Sequence, residues 1–378
     1  MRGAIFKIEK DFDKEIRNFL KKTIVKKFFG AILIPCKVPA NDSYAYLLIR
    51  DEALIEKASI LPPVMPIQGG RVLKSFTRLG KIDAKVAVIM RPCEIRASIE
   101  LSKLEQVDLT NVTLISVDCP GVIPLSDYLE DPVKGTDTFK EAFKTWESDS
   151  VRELCKVCYN FTLTGSDLHI GILGSEQGNL FLIPVSEKGR NLLDFFNINY
   201  ENDISSWENI VKKKEDERKI KRKEFRENLR QEIEGIDNLL KTFSDCLNCH
   251  NCMRVCPICY CRQCFFDSDA LNLPSTNYIK RAENRGSIKF PPETLLFHLG
   301  RMSHMITSCV SCGSCEDACP VSLPISRVFS FVAENVQNLF NYVPGMSVKD
   351  PVPTITYEEE ELKEFENPYI ETYNIQRM

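Results

Sequence analysis

Apolar residues recur in two rhythms over roughly the first two hundred positions. Between residues 11 and 27 they return at helical spacing, as Phe12, Ile16, Phe19, Leu20 and Ile24 with charged residues between them. This pattern predicts an amphipathic helix, stopped by Gly30. Short apolar runs follow at 31–35, 44–49, 86–90, 113–117, 168–172 and 180–183. Each is bounded by polar or turn residues and reads as a strand. Helical stretches lie between several of them, so residues 1–200 are expected to form a mixed α/β domain around a mostly buried sheet.

Beyond that point the pattern changes. Residues 201–243 are crowded with charge of both signs, as in VKKKEDERKIKRKEFRENLRQ, which reads as a solvated linker helix. Residues 244–345 are rich in cysteine, and 346–378 form an acidic, proline-spaced tail of the kind that is ordered only by a partner.

A net charge of −4 gives no basic surplus for nucleic acid. The first residues lack the apolar stretch of a secretory signal, and no run of about 18 uncharged apolar residues exists to span a membrane. A cytoplasmic protein is expected. The sixteen cysteines change the picture. Disulfide scaffolds belong to small secreted domains, whereas most of these cysteines stand two or three residues apart, as metal-binding thiolates do.

Two complete C-x2-C-x2-C-x3-C-P runs are present: Cys246, Cys249, Cys252, Cys256 with Pro257, and Cys309, Cys312, Cys315, Cys319 with Pro320. In such runs three thiolates wrap one cubane and the fourth ligates the other. Cys246, Cys249, Cys252 and Cys319 are therefore assigned to one 4Fe–4S cluster, and Cys309, Cys312, Cys315 and Cys256 to a second. Zinc sites favour paired knuckles and need only four ligands. The insert between the runs has helical apolar spacing over 292–305, which predicts a largely helical ferredoxin-type dicluster domain.

Four further cysteines lie in the N-terminal half. Cys93 and Cys119 each follow a predicted strand, and Cys155 and Cys158 form a knuckle. Strand ends of one sense gather on one sheet edge, so the four are candidates for a third 4Fe–4S cluster. Cys259, Cys261 and Cys264 leave an extra metal site open, and Cys36, in an apolar strand, reads as a buried free thiol. Of the histidines, His250 lies within the first run, while His298 and His304 read as packed or surface residues of the insert helix.

Several segments carry a family resemblance. They are Gln68-Gly69-Gly70, the stretch KIDAKVAVIMRPCEIRA around Cys93 and Glu94, SVDCPG at Cys119, and LCKVCYNFTLTGSDLHIGILG with Cys155 and Cys158. In this order they resemble the beta subunits of coenzyme F420-reducing hydrogenase and of F420-dependent formate dehydrogenase. The resemblance implies a flavin domain in the N-terminal part, binding FAD near Gln68, Gly69, Gly70, Arg91 and Glu94. It also implies hydride exchange between coenzyme F420 and FAD, and single electrons passed through clusters to a catalytic oxidoreductase subunit and a further electron-transfer subunit. From the residues alone, the glycine pair reads equally as a tight turn before a helix. Met90-Arg91-Pro92-Cys93 departs from the family's Gly-Thr-Pro-Cys, and a cation at Arg91 or Arg96 favours reduced, anionic states. Two alternatives stand beside this reading. One is a relay subunit without an organic substrate; the other is a beta subunit of sulfhydrogenase or anaerobic sulfite reductase type.

Overall fold

The computed structural model describes residues 1–8, 12–174, 178–271, 273–357 and 359. Most of the expected tail, and Asp11 at the start of the expected first helix, lie outside these residues.

Eight strands form one sheet: β1 (Arg2–Lys7), β2 (Ala31–Lys37), β3 (Tyr44–Ile49), β4 (Val86–Met90), β5 (Val112–Val117), β6 (Leu168–Gly171), β7 (Asn179–Pro184) and β8 (Asn202–Asp203). Their order is β3-β2-β4-β5-β6-β7-β1-β8. The central four, β2, β4, β5 and β6, run parallel, and the others pair antiparallel. All six expected strands are present. β1 and β8 were not anticipated. β1, RGAIFK, has a short apolar run at Ala4–Phe6 outside the six expected strands, and it buries only Gly3 and Ala4.

Side chains of successive strand residues face opposite sides of the sheet. Ile32, Ile34, Ala87, Ile89, Ile115 and Val117 feed one core. Leu33, Val86, Val88, Met90 and Leu114 feed the other, which continues without a break into Phe243, Met253, Ile258, Phe297 and Phe329 of the cysteine-rich segment. One hydrophobic body thus runs from the sheet to the cysteines, and the insert helix, Thr294–Met305, lies within it.

The solvated-linker expectation needs correction. The charged stretch forms the helix Ser205–Ile233, but this helix buries Trp207, Val211, Arg218, Arg222 and Leu229. Trp207 donates its indole N–H to Asp118 at 3.0 Å, Arg218 donates to the Cys158 carbonyl at 3.0 Å, and Arg222 pairs with Glu334 at 2.8 Å. Two arginines that look solvent-bound in sequence are inside because each finds a fixed acceptor. Ordered structure also extends past 345. Gly345 N–H donates to Glu100 at 2.8 Å, Arg96 donates to the Pro344 carbonyl at 2.7 Å, and Val352 is buried. Among the described residues no helix is long and apolar enough to cross a membrane.

Candidate functional site

The parallel strands set the first group of thiols. Cys93 follows β4 and Cys119 follows β5, and these strands are neighbours, so both residues emerge at one sheet edge. Such an edge, at the carboxyl ends of parallel strands, is where open α/β sheets place their ligands. Cys155, on the short helix Glu153–Lys156, and Cys158, just after it, join them. Burial pushes the Cys155 thiol up to about 12, and Cys119 and Cys158 add to the effect. Cys93 is likewise pushed well up by burial, then by Glu94, Cys312, Cys119 and Cys158. Arg91 Nη1 lies 3.0 Å from Cys119 Sγ, in hydrogen-bond contact.

The two sequence runs interlock. Cys252 is raised to about 11 by burial, then by Cys246, Cys249 and Cys319, although Arg301 opposes the shift. Cys315 is raised well above the usual thiol range by burial, with Cys256, Cys312 and Cys309 contributing. Cys256, Cys309, Cys312 and Cys315 together line one small, mostly apolar pocket. The thiols that act on one another electrostatically include Cys93, Cys119, Cys155 and Cys158, then Cys256, Cys309, Cys312 and Cys315, then Cys246, Cys249, Cys252 and Cys319.

Among the described residues, no three or more His, Cys, Asp or Glu are drawn together as a single-ion group. Four thiols around a cavity suit a cubane, whose irons each take one thiolate. The raised thiols also fit a metal centre, because thiolates crowded in a buried site are costly until iron neutralises them.

The leftover thiols separate. Cys259 faces Cys256 and Arg301, with its pKa lowered to about 7, first by the Cys256 hydrogen bond. Cys264 meets Met253 Sδ at 3.7 Å, and Cys261 is exposed. Cys36 is buried on β2 and raised to about 11 by that burial.

The residues expected at a flavin have closer tasks. Gln68 caps the helix Gly69–Thr77, accepting from Gly70 N–H at 2.7 Å. Gly69 N–H donates to Glu94 at 2.7 Å. A Cβ on Gly69 would stand 2.7 Å from the Tyr46 hydroxyl, and one on Gly70 3.2 Å from Ala97 Cβ. The glycine pair thus permits close helix packing, and its N–H groups are already used. A narrow cleft lies beside it, lined by Tyr46, Met65, Ile67, Met90, Arg91 and Glu94 among others. Glu94 is raised by burial and held against that rise by Arg91, Tyr46 and backbone N–H groups. For a flavin the fit is poor: the cleft encloses room for little more than one water molecule, and Gly69 and Gly70 offer no free donor to a diphosphate.

Three polar residues lie at the cysteines in places the sequence did not assign to them, His298 being expected only as a packed or surface residue. His298 Nε2 lies 3.3 Å from Cys246 Sγ, and burial holds its pKa down at about 3, so the ring is neutral. Arg301 Nη1 donates to Cys252 Sγ at 3.0 Å. Arg152 donates to the Cys312 carbonyl at 3.3 Å. The one available signal was the i, i+3 spacing of His298 and Arg301, which puts both on one helix face. His250 faces Asp267 at 2.8 Å and Asn248 at 3.2 Å rather than a cysteine sulfur.

These features define the class: a protein whose C-terminal part is built to hold iron–sulfur clusters. Residues 242–323 match the 4Fe–4S dicluster domain family. The particular resemblance is to two curated proteins. The chain is 28% identical to F420-dependent formate dehydrogenase subunit beta of Methanocaldococcus jannaschii, over 81% of this chain and 84% of that one. It is 27% identical to F420-dependent formate dehydrogenase 1 subunit beta of Methanococcus maripaludis, over 85% of this chain and 87% of that one. A solved structure of the F420-reducing NiFe hydrogenase complex from Methanosarcina barkeri overlaps with a TM-score of 0.44 at 13% identity, covering 63% of this chain and 94% of that chain. The resemblance to F420-dependent formate dehydrogenase beta subunits holds over most of the chain.

Proposed function

We propose that the chain is the iron–sulfur flavoprotein subunit of a larger oxidoreductase. It exchanges hydride between coenzyme F420 and FAD, and it relays single electrons through 4Fe–4S clusters to a catalytic partner subunit. The carrying observation is the continuity of the three cysteine quartets. Cys93 of the first lies within electrostatic range of Cys312 of the second. Arg301 reaches Cys252 of the third and is felt by Cys256 and Cys315 of the second.

The first quartet (Cys93, Cys119, Cys155, Cys158) holds one cubane. Cys256, Cys309, Cys312 and Cys315 hold the next, and Cys246, Cys249, Cys252 and Cys319 hold the last. A flavin supplies the conversion of a two-electron hydride to single electrons, each of which a cubane can carry. Tyr46, Arg91 and Glu94 line the cleft that would have to open to hold its ring. The buried guanidinium of Arg91 opposes the negative charge gained on reduction.

The test is iron, acid-labile sulfide and flavin per chain after anaerobic purification, followed by addition of reduced coenzyme F420. About twelve iron, about one flavin and bleaching of the flavin band support the reading. About eight iron removes the N-terminal cluster. One observation favours the relay without an organic substrate: the Gly69 and Gly70 N–H groups are already bonded within the protein. A flavin-free preparation with full iron would establish that alternative.

A further inference from the structure

Arg301 lies between the second and third quartets. It is 2% exposed, on the helix Thr294–Met305. Nη1 donates to Cys252 Sγ at 3.0 Å and Nη2 to the Cys252 carbonyl at 3.1 Å, while Cys259 Sγ is 3.9 Å from Nη2. The same charge lowers the proton affinity of Cys256 and Cys315, which belong to the other quartet. Phe329 and Phe297 lie against the guanidinium at 4.9 and 5.7 Å.

Its set of partners is unusual. Among the described residues no carboxylate pairs with Arg301, and its Nε has no hydrogen-bond partner. The groups that raise its pKa are Cys252, Cys259, Cys256 and Cys315, acting against burial. Arg152 in the neighbouring gap provides the contrast, because its charge is met by Asp317 at 2.5 Å. A buried guanidinium without a carboxylate is costly unless nearby groups are negative. Around Arg301 those groups are sulfurs.

We propose that Arg301 is a positioning residue that raises the reduction potentials of both clusters of the dicluster segment, acting on them from the gap between. This rests on the cluster reading above. Each one-electron reduction adds one negative charge to a cluster and moves no proton. A fixed cation at hydrogen-bond distance from one cluster's ligand, and within reach of two ligands of the other, stabilises both reduced forms. The partial cancellation by Asp317 leaves Arg152 with a smaller effect.

The experiment is a potentiometric titration of the iron-replete full chain, followed by EPR, on the wild type, Arg301→Gln and Arg301→Lys. Arg301→Gln is expected to shift the reduction equilibria of the two dicluster clusters at least tenfold toward the oxidised form, about 59 mV for a one-electron couple. The signal of the N-terminal cluster, held by Cys93, Cys119, Cys155 and Cys158, is expected to stay in place. Arg301→Lys keeps the charge and holds the potentials near wild type, and it provides the comparison if the glutamine variant loses iron. Iron-replete Arg301→Gln with unmoved potentials overturns the inference, and so does Arg301→Lys shifted as far as a neutral residue. A wild-type chain that takes up no iron and sulfide overturns both the inference and the reading beneath it.

Discussion

Arg152 and Asp317 form an ion pair at 2.5 Å with both side chains buried, and it joins the loop before Cys155 to the second cysteine run. Asp317 also accepts from Leu125 N–H at 3.0 Å. Removing one partner of such a pair strands the other charge away from water, at a cost of about 3–5 kcal/mol. Asp317→Ala is therefore expected to lower the denaturant midpoint of the anaerobic protein clearly. An unchanged midpoint would show that the pair contributes nothing to cohesion between the two parts.

Interlocking makes a prediction about iron. Cys256 belongs to the first run in sequence but acts electrostatically on Cys309 and Cys315 of the second. Cys256→Ser and Cys312→Ser are expected to disturb the same EPR signal, each with a loss of up to about four iron. Cys252→Ser and Cys319→Ser are expected to disturb the other. Loss of one common signal in Cys256→Ser and Cys252→Ser would mean that each run binds its own cluster.

Trp207 fastens the charged helix to the sheet through Asp118, a carboxylate that also accepts from Ile172 and Leu173 N–H and faces His169. Trp207→Phe removes a hydrogen bond to a buried charge, worth about 2 kcal/mol. Faster amide exchange in the helix Ser205–Ile233 is the expected result. Gly171 is coupled to the same contact, since a Cβ there would come within 2.8 Å of the indole. Gly171→Ala is expected to mimic Trp207→Phe, and exchange rates like wild type in both would refute the anchoring role.

Cys36 provides a pH dependence away from the clusters. Burial raises its pKa to about 11 in the folded state, whereas an unfolded thiol ionises near 8.5. Below the unfolded value the thiol is protonated in both states and its stabilising contribution is whole. Between the two values the unfolded chain loses its proton first, so stability falls as pH rises, by about 3 kcal/mol at most. Cys36→Ala is expected to flatten that part of the curve between pH 8.5 and 11, and an equal slope in the variant would exclude the thiol as its source.

Gly345 has φ +74°, and a Cβ there would stand 2.3 Å from the Arg96 carbonyl. Gly345→Ala is expected to cost at least about 1 kcal/mol from the left-handed backbone alone, before the clash is counted. The check is protease sensitivity of the segment after Tyr342, compared with wild type; equal digestion would mean that the segment is not held against the helix Pro92–Lys103.

Much of this was legible along the chain. Strands β2 to β7 declared themselves because their apolar runs are short and sharply bounded. β1 did not, because its apolar run is only Ala4, Ile5 and Phe6 at the very start of the chain. The glycine pair was ambiguous in principle: a conformationally free backbone serves a ligand or a neighbouring helix equally well, and only the positions of Tyr46 and Ala97 distinguish the two.

Local spacing along the chain is enough to say which thiols can act together. Ligands two or three residues apart must converge, and the strands before Cys93 and Cys119 were visible as apolar runs. Tertiary structure alone decided where the charges sit. Arg152, Arg218 and Arg301 look like surface residues in any local window, yet all three are buried against cysteine-bearing segments. Burial of a charge depends on acceptors far away in the chain, such as Asp317 for Arg152 and the Cys252 sulfur for Arg301, and local spacing carries no record of them.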